Sequence, residues 1–294
     1  MATAMTPQMR GIALTVASLL VFAVSDTAVK HLVQGLPVFT VVVFRYAVAF
    51  AFAAVLLMRL APPYRLISRQ LPLHALRGIL LLAASALNFT AMRDLQLAQT
   101  AAISFTIPLW VCALSVPLLG ETVGPRRWAA VTVGFLGMLI IMRPGTGDFH
   151  PAMFLSLASA LCGAGYNIAT RKAGGTDRAE TSLVLANFFG LAAAVPLAAQ
   201  GFVLPEGWAW AIIVIVGLGS AIGHLLLTEA HRLAPASAIA PFIYTQMLWM
   251  ILLGYLVFGD VPDGWTLIGA LVIVASGLYV FLRERSLGKA APQV

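Results

Sequence analysis

Ten apolar stretches separated by short turns run through this 294-residue chain, and the second five repeat the first five. The clearest copies are Leu97–Arg143 and Leu233–Arg283. In each, an apolar run ends in a glycine and an acid, Gly120-Glu121 or Gly259-Asp260, and a Gly-rich apolar run bearing Trp128 or Trp265 follows. Trp110 and Trp249 each stand eleven positions before the acid, and Thr106 and Thr245 each stand four before their tryptophan. The opening helices match as well. Ala17–Lys30 echoes Ala158–Arg171, which sets Asp26 opposite Asn167 and Lys30 opposite Arg171.

With 61% hydrophobic and only 10% charged residues, this is no soluble globular domain, where about a quarter of residues carry charge. Several runs exceed the roughly 18–20 apolar residues that cross hydrocarbon. The expected fold class is therefore all-α, a polytopic membrane protein. Its spans are placed at 10–31, 36–58, 74–93, 99–119, 126–143, 151–171, 181–200, 208–229, 236–258 and 264–282. Proline and glycine mark the turns, as helix breakers should. The turn at 144–150 joins two expected repeats, 1–146 and 147–294. The first apolar run is too long for a signal-peptide core, holds Asp26 and is followed by further spans, so it is expected to be retained.

Fourteen of the 18 Lys and Arg fall in the N-terminus and alternate loops; Lys30, Arg93 and Arg143 lie on the other side, and Arg45 lies within the second span. The positive-inside bias then places both termini in the cytoplasm. Five spans per copy is an odd number, so the second copy enters from the opposite face. Such inverted-topology repeats are typical of secondary transporters. The net charge of +7 is spread over loops and suits membrane orientation, not nucleic acid. Cys112 and Cys162 lie within spans with no ligand spacing, so neither a disulfide frame nor a metal site is expected. No cofactor motif occurs, and nothing requires an oligomer; a monomer suffices.

Two five-helix halves, each with a small-residue helix leading to proline, then Gly-Glu or Gly-Asp, then a Trp-bearing Gly-rich helix, resemble the EamA repeats of the drug/metabolite transporter superfamily. Within it the chain is most similar to bacterial exporters of aromatic and other neutral amino acids. The resemblance implies a membrane transporter of the bacterial inner membrane, not an enzyme, working on a small-molecule substrate. The prolines depart from a clean repeat. Pro108 stands two residues before Trp110 and Pro241 eight before Trp249, so they do not predict equivalent helix breaks.

Trp128, Trp208, Trp210 and Trp265 sit at span ends, where indoles anchor to headgroups. Trp110 and Trp249 sit mid-span, where an indole N–H needs a protein partner or a wet cavity. They either line a central cavity or pack between helices. Thr245 and Gln246 share a face with Trp249, and Thr106 shares one with Trp110; the alternative for the threonines is a bond back to their own helices. Tyr244 is next to that face. Asn88 and His224 occupy matched places in spans three and eight and are expected to touch cargo or to bind helices together.

Asp26 and Arg45 are the charges well inside spans. They form a structural ion pair, or else Asp26 carries protons and Arg45 anchors a carboxylate. Glu121 and Asp260 are expected as gates or loop braces. Spans four and nine contain no Lys or Arg, which disfavours phosphate-bearing cargo. The leading expectation is export of small neutral metabolites, large apolar or aromatic amino acids first, by alternating access. Efflux of lipophilic cations is the alternative, through aromatic walls that attract cations. From another class, a non-transporting receptor or scaffold is disfavoured by the lack of a sizeable soluble domain. An enzyme is disfavoured because no HExxH, Ser/His/Asp set or catalytic carboxylate pair occurs within the spans.

Overall fold

The computed structural model describes residues 6–60, 68, 70–120, 124–173, 179–199, 201–234, 239 and 242–288. The described helices of the first half are α1 (Pro7–Gly35), α2 (Val38–Leu60), α3 (Leu71–Ala91), α4 (Leu97–Ser104), α5 (Ile107–Leu119) and α6 (Pro125–Met142). Those of the second are α7 (Ala152–Ala173), α8 (Ala179–Ala198), α9 (Trp208–Leu233), α10 (Thr245–Phe258) and α11 (Gly264–Gly288). With α4 and α5 taken together, seven are long and apolar enough to cross a bilayer, and Trp128–Met142, Thr245–Phe258 and Gly264–Tyr279 are shorter apolar helices. The protein is an all-helical, polytopic membrane protein.

The repeated glycines have one job. Gly120 (φ 69°) and Gly259 (φ 71°) both adopt the left-handed conformation that ends a helix, which side chains with a Cβ resist. After α10, Gly259 N–H bonds to the Tyr255 carbonyl in an αL turn and Asp260 N–H bonds to the Gly254 carbonyl, so two end carbonyls are satisfied.

The largest helix pairings are unchanged when the halves are exchanged. α1 packs on α9 as α7 packs on α3; α3 packs on α8 as α9 packs on α2; α1 meets α10 as α7 meets α4 and α5. The pairs α2–α8 and α6–α11 are their own counterparts. The last of these shows the inversion directly. Arg143, at the end of α6, binds Asp263, just before α11, while Ser276, midway along α11, donates to the Ala130 carbonyl early in α6. Equivalent helices of the two copies therefore run antiparallel.

Partial burial works to raise the Asp263 carboxyl, but hydrogen bonds from Thr266 and the Arg143 guanidinium outweigh it and hold it below its ordinary value of 3.8. A depressed carboxylate stabilises the fold fully above its unfolded pKa and loses that contribution as pH falls through the folded value. Asp263→Asn is therefore expected to lower the midpoint of thermal unfolding at neutral pH, with the gap from the parent closing as pH falls from 3.8 through the lower folded value. Thermal scans of both proteins across pH check this.

Each half also contains a broken span. In the first, α4 stops at Ser104 and α5 begins at Ile107. In the second, a turn at Tyr244 precedes α10. Measured from Trp110 and Trp249, the interruptions coincide, which the unequal proline positions did not foretell. Pro108 lacks the N–H that would close a helical bond to Ser104, whereas Pro241 lies outside the described residues.

Candidate functional site

The two breaks face one cavity of about 520 Å³, walled by helices of both halves. That volume lies within the range of roughly 300–1,000 Å³ typical of small-molecule sites. Its aromatic surface comes from Phe22 of α1, Phe105 at the first break and Tyr244 at the second. Phe105 and Tyr244 occupy the same place in the two copies and meet edge to face, centroids 5.3 Å apart. Gly277 of α11 makes room for Tyr244: a Cβ there would lie 2.2 Å from the phenol oxygen.

The polar groups are few. Asp26 of α1 and Asn167 of α7 line the cavity from matched positions, with Asn88 of α3 and Gln246 of α10. Asn167 spends one amide N–H on the Gly163 carbonyl at 2.8 Å. The Asn88 amide oxygen is buried without a hydrogen-bond partner. Asp26 supplies the only formal charge among the described lining residues, and no described ion pair neutralises it. The cavity is thus apolar and aromatic with a ring of amides and a carboxylate, chemistry that suits a flat organic molecule bearing positive or divided charge.

Of the sequence candidates, Asn88, Tyr244, Gln246 and Asp26 lie on this wall. Trp110 and Trp249 do not. Trp110 packs edge to face on Phe135 of α6, centroids 4.5 Å apart, and Trp249 packs against the apolar core. Both indole N–H groups are buried without a hydrogen-bond partner, and of the two readings, cavity lining or packing between helices, the structure shows packing between helices. Thr106 and Thr245 bond back to the carbonyls of Ile103 and Phe242, each at 2.7 Å. His224 lies outside the cavity and packs edge to face on Phe22.

Asp26 and Arg45 make no ion pair with each other; Arg45 donates instead to Ser85 at 2.6 Å and Ser220 at 3.0 Å. Asp260 pairs with Lys30 of α1 at 2.5 Å, linking the two halves at the end where Arg143 meets Asp263. Lys30 also lies over the Phe258 ring, 4.6 Å from its centroid. Glu121 lies outside the described residues. Trp128, Trp208, Trp210 and Trp265 are exposed near helix starts. Sequence reasoning passed over Phe22, Phe105 and Asn167 as wall residues. Asn167 was within reach, because the repeat sets it opposite Asp26.

A cavity between inverted halves, reached by broken helices from each, is the architecture of a secondary transporter. The chain belongs to the EamA-like transporter family, whose pattern matches residues 9–143 and 150–282; it is a transporter and not an enzyme. Over 285 residues it is 25% identical to the S-adenosylmethionine uptake transporter of Rickettsia prowazekii (strain Madrid E), covering 96% of each chain. It is 30% identical over 269 residues to a riboflavin transporter of Vibrio cholerae, covering 89% of each. It is 28% identical over 271 residues to a pseudopaline exporter of Pseudomonas aeruginosa, covering 90% of this chain and 94% of that one. A solved crystal structure at 17% identity superposes with a TM-score of 0.64 over 96% of this chain and 98% of its own, a likeness of fold.

Proposed function

We propose that the protein moves a zwitterionic, ring-bearing metabolite across a bacterial inner membrane, its termini in the cytoplasm. The aromatic amino acids and larger amino-acid derivatives with a heterocycle make up the cargo class. The observation that carries this reading is the pairing of one carboxylate, Asp26, with an aromatic wall in a cavity that has no lysine or arginine among its described lining residues. An ammonium or sulfonium centre would sit at Asp26 and a ring against Phe22, Phe105 and Tyr244. The remaining polar atoms would meet Asn88, Asn167 and Gln246. The relatives' names agree in kind, since S-adenosylmethionine joins a cationic centre to a purine and riboflavin is built on a flat tricycle. The Lys30–Asp260 pair would close one end of the cavity while the other opens, in the manner of alternating access.

Counterflow in proteoliposomes tests this with tryptophan, phenylalanine, S-adenosylmethionine, riboflavin, glutamate and a sugar phosphate. Ring-bearing zwitterions should move and the two anions should not. Tyr244→Ala should slow the favoured cargo by roughly tenfold, as loss of an aromatic contact and its buried area would. Movement of the anions alone would overturn the reading. The same carboxylate and rings also favour a second reading, efflux of lipophilic cations. A quaternary amine that outcompetes every zwitterion would establish it.

A further inference from the structure

A second polar chamber, sharing no described wall residue with the cargo cavity, lies among α2, α3, α7, α8 and α9. Its free volume is about 20 Å³, more than the roughly 10–15 Å³ that one water needs and far too small for an organic cargo. Arg45, Tyr46, Tyr166, Asn187, Ser220 and His224 line it. Phe22 and His224, ring to ring at 5.0 Å, stand between it and the cavity.

One guanidinium, Arg45, lines the chamber; a second, Arg77, bonds the Tyr166 hydroxyl on its wall, and both have neutral partners. Arg45 donates to Ser85 and Ser220 and lies over the rings of Tyr46 and Phe89. Arg77, 4% exposed, donates to Thr170 at 3.0 Å, to Ser182, to the His74 ring at 3.1 Å and to the Tyr166 hydroxyl at 3.4 Å. No described carboxylate pairs with either. A cation inside a span ordinarily pairs with an anion, because desolvation alone is expensive.

The neutral partners are also polarised one way. Ser220 and Tyr166 each accept from an arginine, which turns their hydroxyl hydrogens outward. Asn187 spends one amide N–H on the Leu183 carbonyl at 2.9 Å and keeps the other. Arg45 has five N–H donors, of which two bonds to protein are made. Donors therefore converge on a space the size of a monatomic ion.

We propose that this chamber is an anion site that holds a single halide, chloride in the cell, between Arg45, Ser220, Tyr166 and Asn187. The bound ion supplies a counter-charge beside Arg45, with which no described carboxylate pairs. It also screens Arg45 from a cationic cargo on the far side of the Phe22–His224 partition.

The test needs no knowledge of the cargo. Thermal unfolding of the purified full chain in nanodiscs is followed at constant ionic strength while sodium chloride or bromide replaces sodium gluconate. The midpoint should rise and saturate with halide. Arg45→Gln should abolish the rise, and Ser220→Ala, which keeps the guanidinium, should increase the half-saturating halide concentration several-fold. Crystals grown in bromide should show one anomalous peak in the chamber of the parent protein, a reading that stands even if Arg45→Gln does not fold. Identical unfolding in halide and gluconate, a full-sized halide effect in Arg45→Gln, or a chamber containing only water would each overturn the proposal.

Discussion

Asp26→Asn is expected to slow counterflow of a ring-bearing zwitterion or cation by roughly 10- to 100-fold while leaving a neutral ring such as riboflavin within about twofold. A hydrogen bond to a charged group is worth about 1.5–3 kcal/mol, and each 1.4 kcal/mol is tenfold in affinity. The substitution keeps the size and shape of the side chain, removes its charge and replaces one accepting oxygen with a donating NH2. Asp26 makes no described ion pair, so the fold loses no buried partner, and Lys30 keeps Asp260. The amide also turns the wall into a closer copy of itself, since Asn167 already holds the matched place on α7. Initial rates in proteoliposomes, normalised to monodisperse protein, check the result. Equal losses for charged and neutral cargo would mean that Asp26 holds the cavity's shape and does not read charge.

The second large effect is structural. Gly269→Leu is expected to abolish recovery of folded protein, because α6 and α11 touch backbone to backbone at that point. A Cβ on Gly269 would lie 2.6 Å from the Gly137 carbonyl oxygen and 3.1 Å from the Ile141 nitrogen. Overpacking a core ordinarily costs about 1–3 kcal/mol, and here the obstacle is main chain, which cannot rotate away as a side chain can. Gly137→Leu meets the same contact from the other copy, with the Gly269 oxygen 2.9 Å from its added Cβ. Gly264→Ala, with nothing within 4 Å, is the control and should purify as the parent does. Size-exclusion profiles and thermal midpoints of the three variants decide it. Intact Gly269→Leu protein would mean that the two helices do not meet through these glycines.

The spans, the duplication and its inversion were legible because each rests on a count: runs long enough for hydrocarbon, an odd number of them per copy, and Gly-acid pairs at matched intervals. Asn88, Tyr244 and Gln246, singled out as candidates to touch cargo, do line the cavity, since a polar group at depth turns away from lipid; Asp26, expected as an ion-pair partner or proton carrier, lines it as well. The mid-span tryptophans do not. An indole is equally at home against lipid, a neighbouring helix or a cavity, and spacing along one helix does not choose among them. Trp110 found Phe135, on a different helix. The matched helix breaks were hidden for a similar reason, because Pro108 and Pro241 stand at unequal distances from their tryptophans although the interruptions themselves coincide.

By itself the sequence determined which segments leave water, because hydrocarbon admits only chain that satisfies its own backbone and carries little charge. It also determined that two copies of one unit must run in opposite directions. Which face of each helix meets another helix was left to the tertiary structure, since lipid tails are as apolar as leucine and give hydropathy nothing to distinguish. Close approach at glycines and rare polar contacts made that choice. Gly137 against Gly269 and Lys30 against Asp260, 230 residues away, belong to packing in three dimensions and to no pattern along the chain.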